Sequence, residues 1–151
     1  NHIILGIASP GGKTKAAMAA HYSLIMTGMR ITTYNLGVVD SAAMWLFLAG
    51  SRRVAAPSSG FYIHAAAAQL QANLYSQSSL IEHAMELKSD DKSLVEILVK
   101  TTKLTRRQVQ ACFRQGRRFA DKEALELGVV HSIEEITLVA NAKSILVGGT
   151  T

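Results

Sequence analysis

The chain has 151 residues, of which 48 % are hydrophobic and 18 % are charged, and its formal net charge is +5. These values are typical of one ordered globular domain with a sizeable core, and they exclude an intrinsically disordered chain. The longest wholly apolar run, residues 42–50, is too short to span a bilayer, and the first residues lack the pattern of a signal peptide. We therefore expect no association with a membrane.

Charge and cysteine content limit the partners and the compartment. Clustered cations attract nucleic-acid phosphates, and five arginines lie between residues 106 and 118. Aromatic residues are not interleaved among them, so a solvated helix face or a subunit contact is the favoured interpretation, and no nucleic-acid partner is predicted. The single Cys112 rules out an internal disulfide, and a reducing cytoplasm is the simplest location.

The first half of the chain alternates predicted strands with predicted helices. In chain order they are a strand at residues 3–8, a helix at 13–27, a strand at 31–36, a helix at 41–48, and strands at 53–55 and 61–64. We expect Asp40 or Ser41 to be the N-cap of the second helix. A turn at residues 57–60 separates the last two strands.

The second half is predicted to be mainly helical. Its elements are a helical segment at about 69–102, formed by one long helix or two stacked ones, a helix at 105–115, a short helix at 121–127, a strand at 129–133, and a final strand or packed tail at 136–146. Ser79 and Glu82 have the spacing of a capping box, which indicates a helix start or restart there. Asp90 and Asp91 interrupt the apolar face of the long segment.

This alternation predicts an α/β domain with a largely parallel sheet. A parallel sheet needs cover on both faces, and the chain enters directly at a core strand. We therefore expect further residues ahead of Asn1, or a second subunit, to cover that edge.

Three short segments together have the parts of a serine nucleophile site. Ser41 lies at the start of an apolar helix, where unpaired backbone N–H groups and the positive end of the helix dipole surround it. His64 ends a strand, where it could act as the general base that a serine hydroxyl requires. Gly12 follows a strand, and its backbone can approach a substrate closely because it has no Cβ. The N–H groups of Gly12 and Ala42 are the predicted oxyanion donors.

Each of these residues also has an ordinary structural interpretation. A serine after an aspartate at a helix start is most often a cap, a glycine pair is most often a turn, and a single histidine is most often a core residue. No His, Cys, Asp or Glu pair has the spacing of a zinc finger or of an H-E-x-x-H helix, so no metal and no cofactor is predicted.

Several motifs in one order resemble the proteolytic subunit of the Clp protease. They are SPGG at residues 9–12, GVVDS at 37–41 with the apolar helix after it, Pro57-x-Ser59, the pair at 63–64, and RFADKEALELGVV at 118–130. The resemblance covers about residues 3–133. It implies a serine peptidase of the Clp/crotonase-like fold, built from stacked ββα units with a protruding helical handle. By these motifs Ser41 is the nucleophile, His64 the base, and Gly12 and Ala42 form the oxyanion hole.

The resemblance also implies an architecture and partners. A head would comprise about residues 1–68 and 116–151, and a handle about residues 69–115. In the family the handle joins two heptameric rings of identical subunits into a closed chamber, into which an ATP-driven unfoldase feeds polypeptide substrates. The N-terminal segment of the family has no counterpart in this sequence.

Two departures from the family pattern concern the same site. The third triad member of the family is an aspartate just before an Arg-Phe pair, and here Arg117 occupies that position. The group that orients His64 is therefore either supplied elsewhere or absent, and loss of such a group can cost about 10⁴ in rate. Residues 65–68, AAAA, lack the glycine-rich strand that binds substrate in the family.

Three functions are compatible with these observations. The first is peptide-bond hydrolysis through an acyl-enzyme on Ser41. The second is a non-catalytic or weakly catalytic ring subunit, which the arginine at the triad position favours. The third is acyl-CoA chemistry of the crotonase relatives, which the serine and histidine pair disfavours.

Overall fold

A computed structural model describes residues 1–137, which form six strands and five helices. In chain order the elements are β1 (His2–Ser9), α1 (Thr14–Met26), β2 (Arg30–Asp40), α2 (Ala43–Phe47), β3 (Arg52–Ala55), β4 (Gly60–Ile63), α3 (Gln77–Thr101), α4 (Arg106–Gln115), β5 (Arg117–Ala120), α5 (Asp121–Glu126) and β6 (Ser132–Ile133).

The long strand β2 is the centre of one six-stranded sheet. On one side β1 runs parallel to it over nearly its whole length, with His2 opposite Arg30 and Ser9 opposite Val39. On the other side β3 pairs with the first half of β2 and β4 with its end. β6 extends the sheet beside β3, and β5 pairs antiparallel with β4. The predicted α/β class with a largely parallel sheet, in the Clp/crotonase-like fold, is confirmed.

The short helix α2 is anchored in the core. Its residues Met44, Trp45 and Phe47 are completely buried. The buried ring of His21 in α1 donates through Nδ1–H to the carbonyl of Trp45 at 2.7 Å. Burial lowers the pKa of His21, which favours its neutral form. The turn that precedes α2 is therefore attached to a rigid part of the molecule.

Arg53 connects three distant parts of the chain beneath β3. Its buried guanidinium donates to the carbonyl of Thr101 at 2.6 Å, to that of Gly128 at 3.1 Å and to that of Val129 at 2.7 Å. A fourth hydrogen bond, to the carbonyl of Gly50, measures 3.2 Å. Burial lowers the pKa of this guanidinium, but its hydrogen bonds compensate for the loss of water. The end of α3 and the segment after α5 are thereby fixed to the sheet.

The two halves of α3 differ in burial. Asp90, Leu94, Val95 and Leu98 in the C-terminal half are buried. Apolar side chains of the N-terminal half are exposed, namely Leu80, Ile81 and Met85. The predicted helical segment at 69–102 therefore contains one long helix, α3, and the C-terminal half of α3 supplies the contacts with the core. The division into head and handle stays a prediction.

Three predicted boundaries are wrong. The long helix begins at Gln77, and residues 64–76 are not helical. Its N-cap is Ser76, whose side chain accepts a hydrogen bond from the N–H of Ser79 at 3.2 Å, so Ser79 does not start the helix. The strand predicted at 129–133 is limited to β6. Val129 cannot join it, because the carbonyl of Val129 accepts from Arg53 and the N–H of Val129 donates to the carbonyl of Ala124.

Most of the strand or tail predicted at 136–146 lies outside the described residues. Residues 136 and 137 have no regular secondary structure. Among the helices of residues 1–137, none has the length and apolar composition that crossing a bilayer requires.

Candidate active site

Ser41 lies in a sharp turn between β2 and α2. Its φ of +54° is in the left-handed region, which residues other than glycine rarely adopt. The turn is fixed on both sides, because the N–H of Ser41 donates to the carbonyl of Tyr62 at 2.8 Å and its carbonyl accepts from the N–H of Met44 at 3.0 Å. A strained residue held in this way by its surroundings is typical of a functional site.

The prediction that Asp40 or Ser41 is the N-cap of α2 is wrong. Ala42 occupies that position, and no side chain caps the helix. The reason is that β2 continues to Asp40, so the chain must turn within two residues before α2 begins. The Ser41 hydroxyl is consequently not used as a cap.

Of the two glycines in the SPGG segment, only Gly11 lies against this turn. Gly11 has a φ of +105°, and a Cβ on it would come within 2.9 Å of both the carbonyl oxygen of Asp40 and the Cβ of Ser41. Gly12 has a φ of +152°, and a Cβ on it would meet no atom within 4 Å. Gly11 is therefore required for packing against the turn, whereas Gly12 faces open space.

The two predicted oxyanion donors are available. Within residues 1–137, the N–H groups of Gly12 and Ala42 donate no hydrogen bond, whereas the N–H of Gly11 donates to Ser9 Oγ at 3.2 Å. Gly12 and Ala42 both line a pocket of about 240 Å³ between α1 and α2. Unpaired backbone donors beside a serine at a helix start can stabilise a negatively charged oxygen.

His64 follows directly after β4 and is positioned by aromatic stacking. Its ring stacks on that of Tyr62, with the ring centroids 4.8 Å apart. The guanidinium of Arg118 lies 4.3 Å from the centroid of the same tyrosine ring and contacts the buried Asp40 carboxylate at 3.0 Å. His64 is thus linked to Asp40, the residue before Ser41, through the ring of Tyr62 and the guanidinium of Arg118.

The structure brings Ser41 and His64 together. Both line one narrow cleft, together with Thr14, Ala42, Trp45, Ala66, Asp90, Asp91 and Leu94. The described residues include no hydrogen bond between Ser41 Oγ and the His64 ring. Such bonds are commonly long in enzymes without substrate and shorten when the substrate binds.

Arg117 does not replace the missing triad carboxylate. It lies opposite Ile63 in the β4–β5 ladder, and its guanidinium forms an ion pair with Glu123 of α5. The position that carries an aspartate in the family therefore holds a cation, which is engaged at the surface.

Sequence reasoning did not identify two carboxylates that line the cleft. Asp90 is buried and pairs with Lys15 of α1 at 2.8 Å. This hydrogen bond raises the pKa of Lys15, which stays positively charged. Asp91 is half-buried, and its Oδ1 accepts from the N–H of Ala66 at 2.7 Å. The available sequence signal was the interruption of the apolar face of α3 at these two residues.

Burial has the largest effect on Asp91, and it raises the pKa of this carboxyl above its ordinary value. The hydrogen bond from Ala66 lowers the pKa, the negative charge of Asp90 raises it, and the positive charge of His64 lowers it. The His64 ring and the Asp91 carboxyl both line the narrow cleft. Within residues 1–137, no group of three or more His, Cys, Asp or Glu side chains could hold a metal ion.

Comparison with known proteins agrees with this architecture. The family model described as Clp protease matches residues 1–137. The chain is 30 % identical to the ATP-dependent Clp protease proteolytic subunit 1 of Leifsonia xyli, over 91 % of this chain and 69 % of that protein. It is 31 % identical to the proteolytic subunit 3 of Streptomyces avermitilis, over 87 % of this chain and 59 % of that protein.

A third relative is the proteolytic subunit 1 of Streptomyces coelicolor, which is 28 % identical over 99 % of this chain and 65 % of that protein. The chain therefore spans about two thirds of the length of these relatives. The described residues form an α/β domain whose sheet places a serine in a strained turn and a histidine in the same cleft. This chain belongs to the Clp protease family.

Proposed function

We propose that the protein is a serine-type endopeptidase that hydrolyses peptide bonds through an acyl-enzyme on Ser41. One observation carries the proposal: Ser41, which has a positive φ, shares a cleft with His64, and the N–H of the next residue, Ala42, has no acceptor within residues 1–137. Membership of the Clp protease family supports a peptidase.

In the proposed reaction, Ser41 Oγ attacks the scissile carbonyl while His64 accepts the hydroxyl proton. The carbonyl oxygen becomes negatively charged and receives hydrogen bonds from the N–H groups of Gly12 and Ala42. When the intermediate collapses, the C–N bond breaks and the proton passes from His64 to the leaving amine. Water then attacks the acyl-serine with His64 again as the base, which releases the acid and restores Ser41.

We further propose that the protein acts as a subunit of a homo-oligomeric chamber on polypeptides that an ATP-dependent unfoldase supplies. The printed names of the relatives describe ATP-dependent proteolytic subunits. The exposed apolar residues in the first half of α3 are compatible with a subunit contact. A monomer in light scattering at micromolar concentration would contradict this assembly. A cytoplasmic location stays a prediction.

A second candidate is a ring subunit with a weak or inactive site. It is favoured by Arg117 at the position of the family's triad aspartate, because that side chain is a cation paired with Glu123. The acyl-CoA alternative has no comparable support, because such chemistry does not need a serine and a histidine in one cleft.

A fluorophosphonate probe separates these candidates, because it labels only an activated serine. We expect the purified protein to be labelled at Ser41, as located by mass mapping, and we expect Ser41→Ala and His64→Ala to lose the label. Ser58→Ala is a matched control, because Ser58 is exposed and also has a positive φ, of +64°.

The outcomes are distinct. Labelling at Ser41 that depends on His64 supports the peptidase. Correctly folded protein that takes up no label, or label that maps to another serine, contradicts it and favours the ring subunit with an inactive site.

A further inference from the structure

The half-buried carboxylate in the cleft has no role in the reaction described so far. Asp91 follows Leu87 and precedes Leu94 and Leu98 at helical spacing, so it lies in the stripe of α3 that packs on the core. A carboxylate in such a stripe costs stability, and groups of this kind are concentrated at functional sites.

A hydrogen bond holds this carboxyl beside the histidine. Asp91 Oδ1 accepts from the N–H of Ala66 at 2.7 Å, and Ala66 is two residues beyond His64. Residues 64–76 form no regular secondary structure, so this bond attaches the segment after His64 to α3. The second oxygen, Oδ2, accepts no hydrogen bond within residues 1–137. The carboxylate therefore keeps an acceptor available in the cleft.

Asp91 and His64 line the same cleft, and His64 has the smallest of the four effects on the pKa of Asp91. Burial raises the pKa of Asp91, and the positive charge of His64 opposes that rise. The other charged groups nearby are Asp90, Lys15 and Glu86. Lys15 contacts Asp90 at 2.8 Å and Glu86 at 3.6 Å, so the negative charge of Asp90 is already paired. Within residues 1–137, Asp91 forms no ion pair with a lysine or an arginine, so it is the carboxylate available to a protonated imidazole.

We propose that Asp91 is the positioning residue for His64, and that its carboxylate supplies from α3 the role that Arg117 cannot supply from β5. This inference rests on the proposed function and adds the third group to it. The ionised carboxylate accepts a hydrogen bond from the N–H of one ring nitrogen of His64, and the proton stays on that nitrogen. The other ring nitrogen is then unprotonated and directed to the hydroxyl of Ser41. Asp91 forms no covalent bond and takes up no proton during the reaction.

With Asp91 as the orienting group, the site can tolerate Arg117 at the position of the family's triad aspartate. A protonated His64 forms transiently when Ser41 attacks, and a carboxylate in the same cleft stabilises it. Because Asp91 is on α3, the orienting group comes from the helix that also carries the exposed apolar residues. The geometry of the base is then coupled to the position of that helix.

The test compares four variants by two measurements. Asp91→Asn keeps an oxygen that can accept from Ala66 but removes the charge, and Asp91→Ala removes both. Asp90→Asn makes the same chemical change at the adjacent carboxylate, and Glu86→Gln is the control at an exposed position one turn earlier on α3. The first measurement is the rate of fluorophosphonate labelling at Ser41. The second is the tautomer of the neutral His64 ring in ¹⁵N NMR, which does not depend on activity.

We expect wild-type His64 to be held in one tautomer and the Asp91→Asn ring to be a mixture of both. The labelling rate should fall by at least tenfold, and by up to about 10⁴-fold, in Asp91→Asn and Asp91→Ala. Asp90→Asn and Glu86→Gln should keep the wild-type tautomer. If Asp91 acted only as an acceptor for Ala66, Asp91→Asn would label at the wild-type rate.

The two proposals can fail separately. An unchanged His64 spectrum in Asp91→Asn overturns the inference whatever the labelling shows, and so does a labelled wild type whose rate the substitution leaves unchanged. A larger effect of Asp90→Asn than of Asp91→Asn overturns it as well. If wild-type protein takes up no label, the proposed function fails, and the tautomer measurement still decides whether Asp91 orients His64.

Discussion

The two sides of the cleft are constructed differently. On the side of the nucleophile, Ser41 is fixed by backbone hydrogen bonds to β4 and α2, and Gly11 fits against it with no room for a side chain. On the side of the base, His64 is held by a stacked ring and is followed by a segment without regular structure. The serine is therefore positioned by the rigid sheet, whereas the histidine depends on side chains.

This difference indicates which residue of the cleft can change its orientation. A residue that backbone hydrogen bonds hold in a strained conformation cannot adapt, so Ser41 is preorganised. A histidine held by stacking and by one carboxylate can be reoriented at low cost. The following predictions test the comparison from the largest expected effect to the smallest.

The largest effect on stability and on labelling is expected when a side chain is added at Gly11, which packs tightly against the turn of Ser41. Gly11→Ala places a Cβ within 2.9 Å of the Asp40 carbonyl and of Ser41 Cβ, at a φ that favours glycine. We expect a loss of about 1–3 kcal/mol in the free energy of unfolding. Displacement of the serine should also lower labelling of Ser41 by about 10²-fold, as losing one oxyanion donor does. Thermal melting and labelling kinetics measure the two effects.

Gly37→Ala is the matched control for this substitution, because an added Cβ there meets no atom within 4 Å and its φ is not positive. It should label at the wild-type rate. A Gly11→Ala protein with normal labelling and normal melting temperature would show that the turn is not rigid.

A smaller effect is expected on the side of the base. Tyr62→Leu removes the ring on which His64 stacks but keeps an apolar side chain in β4. Stacking of this kind is worth about 0.5–1.5 kcal/mol, so labelling of Ser41 should slow by roughly threefold to tenfold. Tyr62→Phe retains the ring and should label at nearly the wild-type rate. Equal rates for Tyr62→Leu and Tyr62→Phe would contradict positioning by stacking.

The smallest effect concerns stability and pH. Burial raises the pKa of Asp91 above its ordinary value of 3.8, so the folded protein holds that proton more tightly than the unfolded chain. The stabilisation is therefore present below the unfolded pKa and is lost as the pH rises through the folded pKa. An asparagine at position 91 does not ionise, so Asp91→Asn does not lose this stability as the pH rises. Its melting temperature, relative to wild type, should be higher at about pH 7.5 than at about pH 4. A difference that is independent of pH would contradict the burial effect.

Much of the fold follows from sequence patterns that report on the backbone. The helix predicted at 105–115 forms as α4, and the capping box at its N-cap, Thr105, is a local signal. The β-branched residues at 31–36 also form a strand, but β2 continues four residues further, to Asp40. Val129 and Val130 show the limit of such signals. Both are buried, but they belong to no strand, because an apolar pattern reports burial and not pairing.

The site was predictable only in part, because local sequence patterns do not show which distant residues meet in space. The order of Ser41 and His64 along the chain indicated a nucleophile and a base, and the structure places both in one cleft. The positive φ of Ser41 was not predictable, because it follows from how far β2 extends before α2 begins. Asp91 is 27 positions after His64, and its proximity to the histidine depends on how α3 lies across the core.

The hydrogen bonds of Arg53 have a consequence for the timing of folding. The bond to Thr101 joins residues 48 positions apart and the bond to Val129 joins residues 76 positions apart, so they cannot form during synthesis until residues 101 and 129, respectively, have left the ribosome. Before Thr101 emerges, Arg53 does not attach the C-terminal end of α3 to β3, and we expect Asp91 not to be fixed beside His64. A nascent chain of that length would hold Ser41 in its turn before the carboxylate that we propose to orient His64 is in place.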